Sequence, residues 1–152
     1  MLRSLLAVLA VFVILLPSTA LASLTRSEFT LLREINRVRA EHGLRRLRVD
    51  DHLEAAAHWH TQSMLQSNVF EHGAFGHRML EFNVRGSLAG ENLAWGDGSK
   101  GTARGIVAEW LASPEHRANL LRAVFRRVGV GELVGGFQGV TGAHVVTADF
   151  AG

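Results

Sequence analysis

The sequence predicts an α+β domain in which helices pack on an antiparallel sheet, and three observations point there. Apolar residues recur at helical spacing through the first two-thirds of the chain. The tail changes to a two-residue period with β-branched runs and paired glycines. Helices first and hairpin-like strands last is the order of an α+β fold.

The N-terminal residues read as an export signal. Arg3 gives a positive start, Leu5 to Leu16 is an almost unbroken apolar run, and Ala20-Leu21-Ala22 offers the small residues a signal peptidase reads. The run is about 12 residues, against the roughly 20 needed to span a bilayer. Cleavage is expected after Ala22, giving a signal peptide over 1–22, a single domain over 23–152 and no stable membrane anchor. An uncleaved anchor is the alternative reading, since only Ser23 and Leu24 separate the signal from the domain. A bacterial lipoprotein anchor is excluded because the chain has no cysteine. The expected location is secreted, extracellular or periplasmic, where a chain without disulfides depends on its packed core.

Thr25 and Glu28 have capping-box spacing, and Phe29, Leu32, Ile35 and Val38 continue a first helix toward Gly43. Leu44 to Val49 reads as extended. Asp50 caps a second helix lined by Leu53, Ala56, Ala57 and Met64 down to about Ser67. After a looser stretch from Asn68 to Gly76, His77 to Val84 reads as a third helix ended by Gly86. Glycines flank an ordered Glu91-Asn92-Leu93-Ala94-Trp95. Thr102 to Leu111 places Ile106, Val107 and Trp110 at core-facing intervals. Ser113-Pro114-Glu115 supplies a cap, a first-turn proline and an early acid, restarting a helix over His116 to Leu121. Val128, Val130 and Leu133 begin the strands, Gly135-Gly136 and Gly139 to Gly142 break the chain, and Val145-Val146-Thr147 forms the last strand, which His144 opens.

The net charge is +2, with both signs interspersed. The densest basic run, Arg45-Arg46-Leu47-Arg48, is short and lacks interleaved aromatics, so it reads as a solvated loop and no nucleic-acid partner is expected. G-x-S-x-G, H-E-x-x-H and the phosphate-loop motifs are missing. Of eight histidines, His58 and His60 flank Trp59 and point to different sides of a helix, as surface or satisfied polar residues. His42, His52 and His77 lie near helix ends. His72, Glu91 and His116 sit at loops or element junctions beside glycine or a tight turn, where functional side chains are displayed. If they converge, two imidazoles and a carboxylate make a three-ligand site with an open fourth position.

The order Glu34-Ile35-Asn36-Arg37-Val38-Arg39, Gly90-Glu91-Asn92-Leu93-Ala94, Trp110, Ser113-Pro114-Glu115-His116-Arg117-Ala118-Asn119-Leu120-Leu121 and Val128-Gly129-Val130-Gly131 resembles the CAP superfamily of cysteine-rich secretory proteins, antigen 5 and pathogenesis-related 1 proteins, in its bacterial, cysteine-free form. The resemblance implies an α-β-α sandwich and a cleft lined by His72, Glu91 and His116. It also implies a second glutamate in members that hold a divalent cation. The position that would carry it here is Ser113, with Glu109 and Glu115 nearby but not matching. Three readings follow: an extracellular binding module for a lipid, cell-wall or protein ligand; a hydrolase in which a cation such as zinc, held by the three residues, activates water; or a cluster that only locks the fold. The missing nucleophile and the incomplete acidic set favour the binding module.

Overall fold

The structure is a computed structural model that describes residues 24–152. The expected signal peptide and its cleavage point after Ala22 lie outside the described residues. Within them, five helices and four strands follow in the order α1 (Arg26–Glu41), β1 (Arg48–Val49), α2 (Asp51–Ser67), α3 (Phe75–Glu81), β2 (Ala89–Gly96), α4 (Ala103–Ala112), α5 (Pro114–Leu120), β3 (Arg127–Phe137) and β4 (Val140–Ala151). The strands form one sheet in the order β1-β3-β4-β2, antiparallel except for the short parallel β1–β3 pair. Helices α1, α4 and α5 cover one face and α2 and α3 the other, as an α-β-α sandwich.

Local chemistry starts the helices as the sequence predicts. Thr25 and Glu28 complete a reciprocal capping box on α1. Asp50 accepts from the main-chain N–H of His52 and Leu53, both at 3.1 Å, to open α2. Of the expected α1 stripe, Leu32, Ile35 and Val38 are buried, joined by Leu31, while Phe29 is 52% exposed beneath the guanidinium of Arg33. The third helix runs Phe75–Glu81, two residues earlier than its sequence pattern suggests. Glu91 to Trp95 is a strand within β2. Gly135 and Gly136 do not end β3 but lie within it, beside a register shift. The hairpin turns instead at Gln138 and Gly139, both at positive φ (51° and 81°) as a tight β-hairpin requires.

The main core joins Leu31, Ile35, Val38, Ile106, Val107, Trp110, Leu120 and Phe125 to Val128, Val130, Val146, Ala148 and Phe150 of the sheet. The buried Trp110 indole donates to the Leu93 carbonyl at 2.8 Å. On the opposite face α2 lies directly on β3. A Cβ at Gly129 would collide with the main chain of Leu53 and Glu54, and one at Gly131 would lie 2.7 Å from the Ala57 carbonyl carbon. These glycines, legible in the sequence only as turn or strand residues, are the seat of the helix. Thr61 fixes it by donating to the Gly131 carbonyl (3.1 Å) and meeting the Thr147 hydroxyl at 2.9 Å.

Gly131→Ala is therefore expected to lower the unfolding free energy by about 2 kcal/mol or more, because neither backbone can retreat without breaking the ladder. Gly136→Ala, whose Cβ would meet nothing within 4 Å, should stay within about 0.5 kcal/mol of wild type. Urea unfolding of the two variants measures the contrast.

Candidate functional site

Residues along β2 alternate between the two faces, and that alternation assembles the site. Odd positions face α2 and α3, where Leu93 joins the second core cluster and Ala89 the third. Even positions face α5. Glu91 therefore points toward the α2–α3 side, and the antiparallel register sets it opposite Asp149 of β4. Arg78 of α3 reaches down to both carboxylates: its Nη2 contacts Glu91 Oε2 closely and lies 3.5 Å from Asp149 Oδ1. All three side chains are buried. Phe75 lies against the guanidinium, 5.4 Å from the ring centre to Cζ.

His72, in the connection between α2 and α3, completes the cluster from outside. Its Nδ1 lies 2.6 Å from Glu91 Oε1, while the ring remains 57% exposed. With Glu91 ionised, Nδ1–H donates to the carboxylate and Nε2 is left as the outward-facing nitrogen. His60, on α2, is buried behind them: its Nε2–H donates to the Glu71 carbonyl at 2.9 Å and lies 3.8 Å from Glu91 Oε2. That contact anchors the connection carrying His72.

His116 occupies a different position. It lies on α5, on the even-residue side of β2, with its main-chain carbonyl accepting from Asn92 Nδ2 at 2.9 Å. Asn119 donates to the Glu91 carbonyl (3.0 Å) and to Asn92 Oδ1 (3.1 Å), tying α5 to the strand. A Cβ on Gly90 would lie 2.8 Å from Asn119 Oδ1, so glycine there lets α5 approach. Burial, and then the neighbouring His72, lower the pKa of the half-buried His116 imidazole, which among the described residues hydrogen-bonds neither His72 nor Glu91. The structure thus brings His72 and Glu91 into contact and sets His116 beside them around the β2 edge.

Burial controls the protonation of the cluster. It pushes the Glu91 carboxyl up to about 7, against the opposing pull of Arg78. It raises Asp149 well above its usual range, and the neighbouring Glu91 charge adds to this. Two carboxylates and one guanidinium would carry a net negative charge in the interior, which one retained proton removes. Glu91 and Asp149 share that proton, and Asp149 Oδ2, buried and without a hydrogen-bond partner, leaves room for it. Burial and then Arg78 lower His60 to about 4, keeping it neutral.

As arranged, this donor set does not fit a divalent cation. Both oxygens of Glu91 are engaged, one by His72 and one by Arg78, and the guanidinium already supplies positive charge at the carboxylates. Among the described residues, no group of three or more His, Cys, Asp or Glu side chains is spaced to hold a metal ion. Sequence reasoning missed Arg78, Asp149 and the inward role of His60. The β2–β4 register and the α3 contact that recruit them leave no local motif.

A model of the cysteine-rich secretory protein family matches residues 32–150. The chain is 31% identical over 124 residues to the uncharacterized protein YkwD of Bacillus subtilis, covering 78% of this chain and 47% of that protein. It is 34% identical over 114 residues to the uncharacterized membrane protein YlbC of the same organism, covering 70% and 32%. The chain thus spans less than half the length of these curated relatives. Among solved structures, it is similar to an extracellular protein containing an SCP domain from Bacillus anthracis (TM-score 0.66, 27% identity, 86% of this chain and 44% of that one). It also shares its fold with an outer surface protein of Borrelia burgdorferi (TM-score 0.67, 24% identity, 79% and 87%).

The raised Glu91 carboxyl fixes the sign of a pH effect. The folded state holds a proton that the unfolded chain releases near 4.5, so this contribution to stability falls as pH rises from 4.5 through about 7. Between pH 5 and 8, wild type should lose on the order of 1 kcal/mol more than Glu91→Gln, whose amide cannot ionise. Chemical denaturation at both pH values tests this, and the difference between the two proteins largely cancels the opposing titration of His60.

Proposed function

Because the chain belongs to the cysteine-rich secretory protein family, as a member without cysteines, we propose that it is an extracellular binding module. Its ligand is a lipid, cell-wall fragment or protein whose polar end meets His72 and His116. The observation that carries this reading is the commitment of Glu91: with one oxygen on His72 and the other on Arg78, Glu91 is not free to activate water. The exposed His72 ring, oriented through Nδ1, presents Nε2 as a fixed hydrogen-bonding group. Behind it the Arg78–Glu91–Asp149 cluster acts as a rigid mount. The extracellular setting draws support from the expected export signal and from the extracellular and outer-surface proteins whose structures this chain resembles. No helix among the described residues is long and apolar enough to cross a membrane.

The hydrolase reading requires a cation to displace Arg78 from Glu91, which costs the guanidinium its partner in a buried site. A binding module retains its ligand without turnover. Mass spectrometry of small molecules that co-purify with the protein should find a species absent from His72→Ala and His116→Ala, both of which remain folded by circular dichroism. Hydrolysis of a nitrophenyl ester that disappears in those two variants would favour the hydrolase instead. So would a zinc-dependent rise in melting temperature that both variants lose.

A further inference from the structure

The short basic run of the α1–β1 connection acquires a context in three dimensions that it lacks in sequence. Arg45, Arg46 and Arg48 stand around a groove of about 1150 Å³ together with Arg33 of α1 and Arg126 and Arg127 at the start of β3. The groove lies at the β1 edge of the sheet, at the opposite side from β2 and Glu91. Among the described residues, no acidic side chain lines it. Arg127 is paired with Asp50 at 2.7 Å. Among the described residues the guanidinium groups of Arg33, Arg45, Arg46, Arg48 and Arg126 have no carboxylate partner.

The lining between these charges is apolar: Phe29, Leu32, Leu47 and Val49. Phe29 is 52% exposed and Val49 is 38% exposed. Asn36, the one uncharged polar side chain of the lining, is already committed to both main-chain groups of Leu47 (2.7 and 3.1 Å). The groove therefore offers positive charge and apolar surface, and apart from the guanidinium groups no free polar side chain.

From this juxtaposition of five arginines without a carboxylate partner with an exposed phenylalanine and valine, we propose that the groove docks on the surface of a bilayer rich in acidic phospholipid. The guanidinium groups engage lipid phosphates, and Phe29 and Val49 enter the boundary between headgroups and acyl chains. Arginine suits this role because its planar fork binds phosphate oxygens in pairs. Basic groups beside an insertable apolar face are the physical requirement for peripheral attachment to an anionic membrane. A nucleic-acid strand would satisfy the same charges but would leave the apolar lining unused. Protection of the β1 edge would need only one or two charges and would not place Phe29 in water.

The test is co-sedimentation of the full chain with vesicles of phosphatidylcholine alone and with vesicles of equal parts phosphatidylcholine and phosphatidylglycerol. All variants share residues 1–23, so differences between them report the groove. Wild type is expected to prefer the phosphatidylglycerol vesicles and to release as salt rises. The triple variant Arg45→Gln, Arg46→Gln, Arg48→Gln alters only exposed side chains without hydrogen bonds and should bind about a hundredfold more weakly. Phe29→Ser should weaken binding while keeping its salt dependence. His72→Ala should bind as wild type, which separates this surface from the site around Glu91. Equal binding by the triple variant, or equal binding to both vesicle types, overturns the proposal. Tighter, salt-sensitive binding to duplex DNA than to the phosphatidylglycerol vesicles overturns it in favour of a nucleic-acid surface.

Discussion

The close seat of α2 on β3 is the constraint on which the rest of the structure depends. With no side chain at Gly129 or Gly131, the helix backbone rests on the strand rather than on a layer of side chains. Thr61 can then bond to both strands of the central hairpin. That depth places His60 beside Glu91 and lets its ring hold the Glu71 carbonyl. The connection bearing His72 is thereby fixed against Glu91. A helix standing higher would carry His60 away from the cluster, and the Arg78–Glu91–Asp149 group would lose its cover.

Without disulfides, the domain cross-links itself with buried charges and their hydrogen bonds. Arg39 is fully buried in α1, with burial lowering its pKa, and donates to the carbonyls of Arg45 (3.0 Å), Leu120 (2.8 Å) and Phe125 (3.2 Å). One side chain so joins the end of α1, the α1–β1 connection and the segment after α5. Glu28 does the same on the other side of α1. Burial works against its ionisation, but His58, Thr25 and the Glu132 N–H outweigh that and hold it down to about 2. Its Oε1 lies 2.9 Å from His58 Nε2 and 3.1 Å from the Glu132 nitrogen. Such groups add little net stability over a well-packed apolar alternative, but removing one partner strands the other in the interior. They enforce one arrangement of the elements more than they deepen its free energy.

What the sequence made legible follows the range of the responsible interaction. The capping box of Thr25 and Glu28, the Asp50 cap and the Pro114 restart are satisfied within one helical turn, and each can be read locally. Phe29 misled because it continues the 32, 35, 38 repeat as regularly as Leu31 precedes 35 and 38, yet of these only Phe29 is exposed. Only the angle at which α1 meets the sheet decides that the buried face is centred on Leu31 and Ile35 and leaves Phe29 at its margin. His144 shows no sequence neighbour, yet it lies 2.6 Å from Glu132, brought across by the β3–β4 hairpin. Asp149 and Arg78 were illegible for the same reason: their meaning is the strand register and the descent of α3. The family motifs single out Glu91 and His116, but carry no sign that Glu91 faces α3 from β2 while His116 sits on α5.

The order of the strands carries a consequence for how the chain folds. β4, the last strand in sequence, lies between β3 and β2 at the centre of the sheet. During synthesis β2 is complete long before its hydrogen-bonding partner exists, and α2 has no finished surface on which to settle. The pairing of β4 with β2 and its packing against α2 therefore close only after residues 140–151 emerge. Closure of the sheet is thus a late, long-range step, and β2 stays unpaired until the β4 strand is available to join it to β3.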